Sequence, residues 1–249
     1  IMPSLVGSEM CIRDSSVVGW GDMDRGKVER MAFTPATPQG PSPASPESAA
    51  LAAETDAVIL VGGKGTRLRP LTNNIPKPML PAAGLPFLQH LLGRIKAAGM
   101  THVVLGTSFK AEVFEEYFGN GEDLGLDIEY VVEKEPLGTG GGIRNVAEHL
   151  RFDRAMVFNG DVLGGTDLGD ILTTHVKQEA DVTLHLLRVS DPRAFGCVPT
   201  DDNGQVTAFL EKTEDPPTDQ INAGSYVFNR DVLEEIPSCL LYTSPSPRD

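Results

Sequence analysis

Ala57-Val58-Ile59-Leu60-Val61-Gly62-Gly63-Lys64-Gly65-Thr66-Arg67-Leu68-Arg69-Pro70 is the stretch that decides the fold. Its first five residues are apolar and largely β-branched, and two glycines stop them, the pattern of a parallel strand buried on both faces. Downstream, Phe87, Leu88, Leu91, Leu92, Ile95 and Ala98 recur at helical spacing, and Gly99 stands where a left-handed residue would end that helix. The alternation continues, predicting strands over 102–105, 128–132, 155–158 and 182–189 and helices over 111–118, 141–150 and 168–178. Strand and helix in turn imply a largely parallel sheet covered on both faces. The period then changes: 197–200 and 205–210 flank the turn Asp202-Asn203-Gly204 and read as a hairpin, followed by a strand over 221–228 and a short helix over 231–236. In such sheets ligands bind beyond the carboxyl ends of the strands, so the segments after each strand should carry the chemistry.

The two ends of the 249-residue chain are set apart from this reading. One permitted coding of residues 239–249, reverse-complemented and shifted in frame, reads Leu-Val-Gly-Ser-Glu-Met-Cys-Ile-Arg-Asp, which is Leu5 to Asp14. Ends encoded by opposite strands of one oligonucleotide resemble translated sequencing adapter, so 1–15 and 239–249 are excluded from fold reasoning and the chain is expected to be a fragment. Of the cysteines this leaves Cys197, which excludes an internal disulfide framework, fits a reducing compartment and reads as a small core residue. No apolar run approaches the roughly 18 residues of a membrane span, and no charged segment precedes an apolar one near Met23 or Met31. A cytoplasmic protein is expected. Residues 34–48 are dominated by Pro, Ser, Thr and Ala without apolar periodicity. The expected organisation is therefore a disordered leader over 16–54 and one truncated α/β domain over 55–238.

The net charge of -14 argues against nucleic acid or an anionic membrane as a general partner. Its distribution is more informative. Between Ala57 and Ala111 there is no Asp or Glu, yet Lys64, Arg67, Arg69, Lys77, Arg94, Lys96 and Lys110 all fall there. An acid-free basic segment in an acidic protein suggests a site for a small polyanion. Arg94, Lys96 and Lys110 are read as solvated surface cations. The cluster from Lys64 to Lys77 is different because it follows the first strand.

Glycines let a backbone approach a ligand closely, and successive amides pointing into a concavity bind anionic oxygens. Two familiar phosphate loops fail on spacing. A Walker A loop needs Gly where Val58 stands and Ser or Thr where Gly65 stands. A dinucleotide fingerprint needs a small residue at Leu68, and Pro70 opposes the helix that should follow. Lys77 lies between Pro76 and Pro78, which stiffen the chain and fix where the ammonium points. Phe158-Asn159-Gly160-Asp161 places a carboxylate just past an apolar strand, where an Asp is otherwise most often a helix cap. The five histidines are scattered: His90, His149 and His175 on predicted helices, His102 and His185 at strands, without metal-ligand spacing to Cys197.

Gly62-Gly63-Lys64-Gly65-Thr66-Arg67-Leu68-Arg69-Pro70-Leu71-Thr72 followed by Pro76-Lys77-Pro78-Met79 resembles the signature of the sugar-phosphate nucleotidyltransferases, most closely the bacterial mannose-1-phosphate guanylyltransferases. The resemblance implies a Rossmann-like three-layer α/β/α domain, with a mainly parallel sheet and a late β-hairpin. It implies formation of a nucleoside-diphosphate sugar and pyrophosphate from a nucleoside triphosphate and a sugar 1-phosphate. GTP and mannose 1-phosphate are the expected pair. A sister enzyme using dTTP or UTP with glucose 1-phosphate is the near alternative, and a non-catalytic nucleotide-sugar sensor the distant one.

By the same resemblance, Gly62, Gly63, Gly65 and Thr66 hold the triphosphate, Arg67 stabilises its phosphates in the transition state and Lys77 contacts phosphate. The segment from Glu135 to Gly141 lines the nucleobase, with Gly138 leaving room for the ring. Asp161 binds Mg²⁺, a hard cation suited to bridging phosphates. Gly196, Glu211 and Asn222 face the sugar, and Lys212 its phosphate. A homo-oligomer is compatible with the resemblance. A second metal-binding aspartate falls beyond the chain, so the 249-residue fragment is expected to be inactive or nearly so.

Overall fold

The apolar run that opens the glycine loop forms the central strand of a six-stranded sheet. In chain order the strands are β1 (Asp56–Leu60), a two-residue hairpin of β2 (Pro81–Ala82) and β3 (Leu85–Pro86), then β4 (His102–Thr107), β5 (Asp127–Val132), β6 (Arg154–Asn159), β7 (Val182–Arg188) and β8 (Gln220–Asn229). The computed structural model describes residues 45–63, 65–134, 137–202, 204–210 and 212–236. The large sheet has the order β5-β4-β1-β6-β8-β7. β5, β4, β1 and β6 run parallel, while β8 is antiparallel to both of its neighbours. From β1 the chain first builds outward to β5 and then returns to β1's other side with β6. That reversal opens a crevice at the carboxyl ends of β1 and β6.

Both faces of the sheet are covered, which is why its parallel strands read as continuous apolar runs. The described helices are α1 (Pro46–Ala53), α2 (Phe87–Ala98), α3 (Ala111–Phe118), α4 (Gly138–Val146), α5 (Leu168–Lys177) and α6 (Arg230–Glu235). Ala57, Ile59, Val103, Leu105, Met156 and Phe158 pack against α2, α3 and α5. The alternate residues Val58, Val104, Ala155 and Val157 pack against Ile143 and Val146 of α4 and Leu233 of α6. α2 buries Leu88, Leu91, Leu92 and Ile95, each worth roughly 1.5–3 kcal/mol relative to exposure. Gly99 ends it in the left-handed region at φ 107°, with its N–H on Lys96 O.

Three sequence expectations change. The leader expected over 16–54 contains a helix, α1, in its last part. Ser45 caps it by accepting from Ser48 N, Pro46 opens it, and the chain pays for its ordering by seating Ala52 against Gly99 and Ser48 against Gly169. The rest of that tract and the two adapter-like ends lie outside the described residues. The helix expected from 141 begins at Gly138 and ends at Val146 in a 3₁₀ turn, Ala147–His149. Its apolar periodicity starts only at Ile143, so the glycines before it read as loop. In the late hairpin Cys197 and Leu210 exchange both backbone hydrogen bonds, at 2.9 and 3.0 Å, and Thr200 bridges Val206. Pro199 has no N–H to donate, and the pairing is reduced to these isolated bridges. Asn203, in its turn, lies outside the described residues.

Two buried polar groups stabilise the end of the sheet remote from the crevice. Asp56 is fully buried at the head of β1, pairs with His102 Nδ1 at 2.6 Å, and accepts from the N–H groups of Arg151 and Phe152 at 2.8 Å. His175 of α5 is also buried: Nδ1 lies 2.9 Å from Thr183 Oγ1 on β7, and Nε2 lies 3.1 Å from Asn229 Oδ1 on β8. Burial pushes the His175 pKa down, against the opposing effect of its bond to Asn229. The folded state therefore holds this imidazole neutral, while the unfolded chain takes up a proton near the ordinary value of about 6.5. Its contribution is present above that pH and is lost as pH falls below it. Urea melts from pH 7.5 to 5.5 are expected to show a shallower decline of stability in His175→Gln than in the parent. Parallel curves would remove His175 from the acid sensitivity. No helix among the described residues is long and apolar enough to cross a membrane.

Candidate active site

The segments that follow β1 and β6 converge at the carboxyl ends of those two strands. Gly65 takes a left-handed conformation at φ 56°, which turns the loop into the 3₁₀ turn Thr66–Leu68 and leaves Arg67 exposed on it. Gly65 O accepts from Leu68 N at 3.0 Å and from Thr72 Oγ1 at 2.7 Å, so the turn is held from inside and from behind. A side chain at Gly65 would meet Thr72 Cγ2 at 3.0 Å and Lys77 Cβ at 3.1 Å, so the loop lies directly on the proline-flanked lysine. Lys77 starts its own 3₁₀ turn, Lys77–Met79, anchored by the buried Pro78 and Met79. Its Nζ is 2.8 Å from Asp161 Oδ2. Asp161 follows Gly160, whose N–H bonds Leu60 O at 2.9 Å, closing the circuit on the end of β1. The structure thus brings Gly65, Thr66, Arg67, Lys77 and Asp161 together.

Gly62 is tied to the neighbouring strand, its carbonyl accepting from Ser108 Oγ at 2.7 Å. Gly63 has no described atom within 4 Å of where a side chain would stand. Lys64 lies outside the described residues. Among the described residues no group of three or more His, Cys, Asp or Glu is placed to hold a metal ion. Mg²⁺ is commonly held by one or two carboxylates plus substrate oxygens rather than by an all-protein cage, and the lone carboxylate of Asp161 could serve a cation only in that way.

Glu133, which the sequence reading passed over, belongs to the same crevice. It follows Val132 at the end of β5, its N–H bonds Thr107 O at 2.7 Å, and its Oε2 accepts from Leu137 N at the entrance of α4 at 3.4 Å. A side chain at Gly142 would stand 2.6 Å from Glu133 Oε1, so this glycine makes room for the carboxylate, whereas one at Gly62 would reach Oε2 only in ordinary contact, at 3.8 Å. Burial raises its pKa, and the Leu137 N–H opposes the rise. Gly138 opens α4 beside it at φ 69°. Glu135 and Pro136 lie outside the described residues. A carboxylate immediately beyond a strand was the available signal, the same one that marks Asp161.

The third part is built on a bulge. Leu184 pairs with Tyr226 but Leu186 pairs with Asn222, so β8 carries extra residues around Gly224, which sits at φ 71°. A side chain there would meet Asn159 Nδ2 at 2.9 Å, on β6 just before Asp161. Asn222, expected at the sugar, spends its amide on this bulge: Oδ1 accepts from Gly224 N at 2.9 Å and Nδ2 donates to Tyr226 Oη at 2.8 Å. The Tyr226 hydroxyl is buried, which pushes its pKa up to about 12. Gly196 packs on the next segment, 3.1 Å separating its would-be side chain from Leu210 O. Lys212 is exposed two residues further on, and Glu211 lies outside the described residues. Arg94, read as a solvated cation, is instead partly buried and donates to the carbonyls of Gly164 and Thr166. Lys96 and Lys110 stay on the surface, bonding the carbonyls of Gly125 and Asn73.

A glycine loop, a fixed ammonium and a carboxylate meeting at the switch point of a three-layer α/β sheet define a domain that handles nucleotide phosphates. The chain belongs to the nucleotidyl transferase family, which it matches over residues 56–248. It is 70% identical over 184 residues to a mannose-1-phosphate guanylyltransferase of Mycobacterium tuberculosis, an alignment covering 74% of this chain and 51% of that protein. The chain thus spans about half the length of that relative. A D-glycero-alpha-D-manno-heptose 1-phosphate guanylyltransferase of Aneurinibacillus thermoaerophilus is 38% identical over 179 residues, with 72% and 76% covered. Among solved structures, HddC from Yersinia pseudotuberculosis complexed with GMP-PN superposes with a TM-score of 0.65 at 30% identity, covering 74% of this chain and 80% of that one.

Proposed function

We propose that this chain carries the nucleotide-binding part of a mannose-1-phosphate guanylyltransferase, forming GDP-mannose and pyrophosphate from GTP and mannose 1-phosphate. The 70% identity to the mycobacterial enzyme carries the choice of base and sugar. The sugar-phosphate oxygen attacks the α-phosphorus in line and pyrophosphate leaves. A phosphate monoester dianion is already a nucleophile, so the reaction needs no general base. The task is electrostatic: two anions must meet at a crowded phosphoryl centre. The loop from Gly62 to Thr66 offers backbone amides, Arg67 and Lys77 offer charge to the triphosphate, and Lys212 offers charge to the sugar phosphate. Mg²⁺ held by Asp161 and the phosphates would neutralise charge there. Gly196, Glu211 and the bulge at Asn222 form the sugar side.

Pyrophosphate release from GTP, dTTP, UTP and ATP, each with mannose 1-phosphate and glucose 1-phosphate, tests this reading in the enzyme translated from the uninterrupted reading frame. GTP with mannose 1-phosphate is expected to turn over fastest. A higher kcat/KM for UTP or dTTP with glucose 1-phosphate would replace the reading, and no turnover with any pair would leave a sensor. The 249-residue chain is expected to turn over slowly or not at all in the same assay.

A further inference from the structure

The loop between β6 and α5 carries Asp161 and is held by groups outside it. Arg94, on α2, reaches across with Nη1 on Gly164 O and Nη2 on Thr166 O. From the other side Thr166 Oγ1 bonds His185 Nε2 of β7 at 2.8 Å, and Asp167 Oδ1 caps α5 through Gly169 N at 2.8 Å. Near its start, Val162 N bonds Asn159 O at 3.1 Å. Between these anchors stand Gly164 and Gly165, the residues least able to hold a backbone in one conformation unaided.

A guanidinium is a rigid planar fork whose donors diverge, so one side chain fixes two carbonyls at once. Its partial burial makes both bonds necessary, because a desolvated cation without acceptors is costly. Desolvation lowers the Arg94 pKa and nearby Asp167 opposes that, but the group stays charged at any physiological pH.

We propose that Arg94 is a positioning residue for nucleotidyl transfer: by clamping the carbonyls of Gly164 and Thr166 it fixes the loop that presents the Asp161 carboxylate beside Lys77. The inference rests on Asp161 being the residue that receives the divalent cation. Lys at this position retains the charge but not the fork.

The test compares the parent with R94A, R94K and D161A in the 249-residue chain. Mn²⁺ binding in the presence of GTP is followed by electron paramagnetic resonance, and amide exchange of residues 162–167 by mass spectrometry. R94A is expected to weaken Mn²⁺ binding about tenfold, as loss of a group supporting a metal ligand commonly does, and to speed exchange across the loop. GTP affinity measured without divalent ion stays within about twofold, and R94K restores only part of the Mn²⁺ affinity. Should R94A melt below the assay temperature, R94K carries the same comparison. If D161A loses Mn²⁺ and the Arg94 variants do not, the clamp is overturned, even where exchange of the loop speeds up. If D161A binds Mn²⁺ as the parent does, the assignment of Asp161 fails and this inference fails with it.

Discussion

Arg67→Ala is expected to lower kcat by about 10²–10³-fold while moving the dissociation constant of GTP by less than about fivefold. The reason lies in what holds each group. The amides proposed to grip phosphates belong to a loop fixed by Gly65, whose carbonyl takes bonds from Leu68 N and Thr72 Oγ1 and where a side chain would meet Lys77 Cβ. Those contacts belong to Gly65, Leu68 and Thr72, and they are expected to hold the ground-state cradle in the variant. Arg67 is exposed on the turn, and its proposed role is to offset the charge that the incoming sugar phosphate adds at the crowded phosphoryl centre. Pyrophosphate release gives kcat, and calorimetry with a non-hydrolysable GTP analogue gives affinity, both in the enzyme from the uninterrupted reading frame. Equal losses in the two would count against a transition-state role.

The parts of this site that were legible in the sequence are those carried by local pattern. β1 announced itself because a strand buried on both faces is apolar throughout, and the glycine loop because no side chain fills it. Lys77 was visible through its flanking prolines, and Asp161 through its place after β6. What stayed hidden depends on partners far along the chain. α1 reads as a low-complexity tract until Ala52 meets Gly99 and Ser48 meets Gly169. The Gly224 bulge exists only in the pairing of β7 with β8, and so do the bonds of the Asn222 amide to Gly224 N and Tyr226 Oη. Arg94 shows its charge in the sequence but not its acceptors, which are main-chain carbonyls some 70 residues away. Side-chain type reveals a donor, whereas a backbone acceptor has no letter of its own.

Glu133 is the residue at which base choice is expected to change most. Guanine presents N1–H and N2–H₂ side by side, and an ionised carboxylate accepts from both. Uracil and thymine offer one N–H flanked by carbonyls that repel a carboxylate, and adenine offers a bare acceptor there. Glu133 sits where Gly142 leaves room for its carboxylate, beside Gly138 and the entrance of α4. Each hydrogen bond to a charged group is worth roughly 1.5–3 kcal/mol, or about 10- to 100-fold in affinity. The parent is therefore expected to prefer GTP over inosine triphosphate, which lacks the 2-amino group, by about tenfold. In Glu133→Gln the side-chain NH₂ meets a guanine donor, so GTP should weaken about 100-fold and the preference over inosine triphosphate should vanish. Because burial raises the Glu133 pKa, its carboxylate takes up a proton at higher pH than an exposed glutamate would. GTP affinity should accordingly fall as pH drops toward the acid range, and Glu133→Gln should flatten that dependence. The competing role is a plain cap, since Oε2 also accepts from Leu137 N. A cap alone predicts equal losses for the two triphosphates together with a lower melting temperature. Loss confined to GTP, at an unchanged melting temperature, assigns Glu133 to the base.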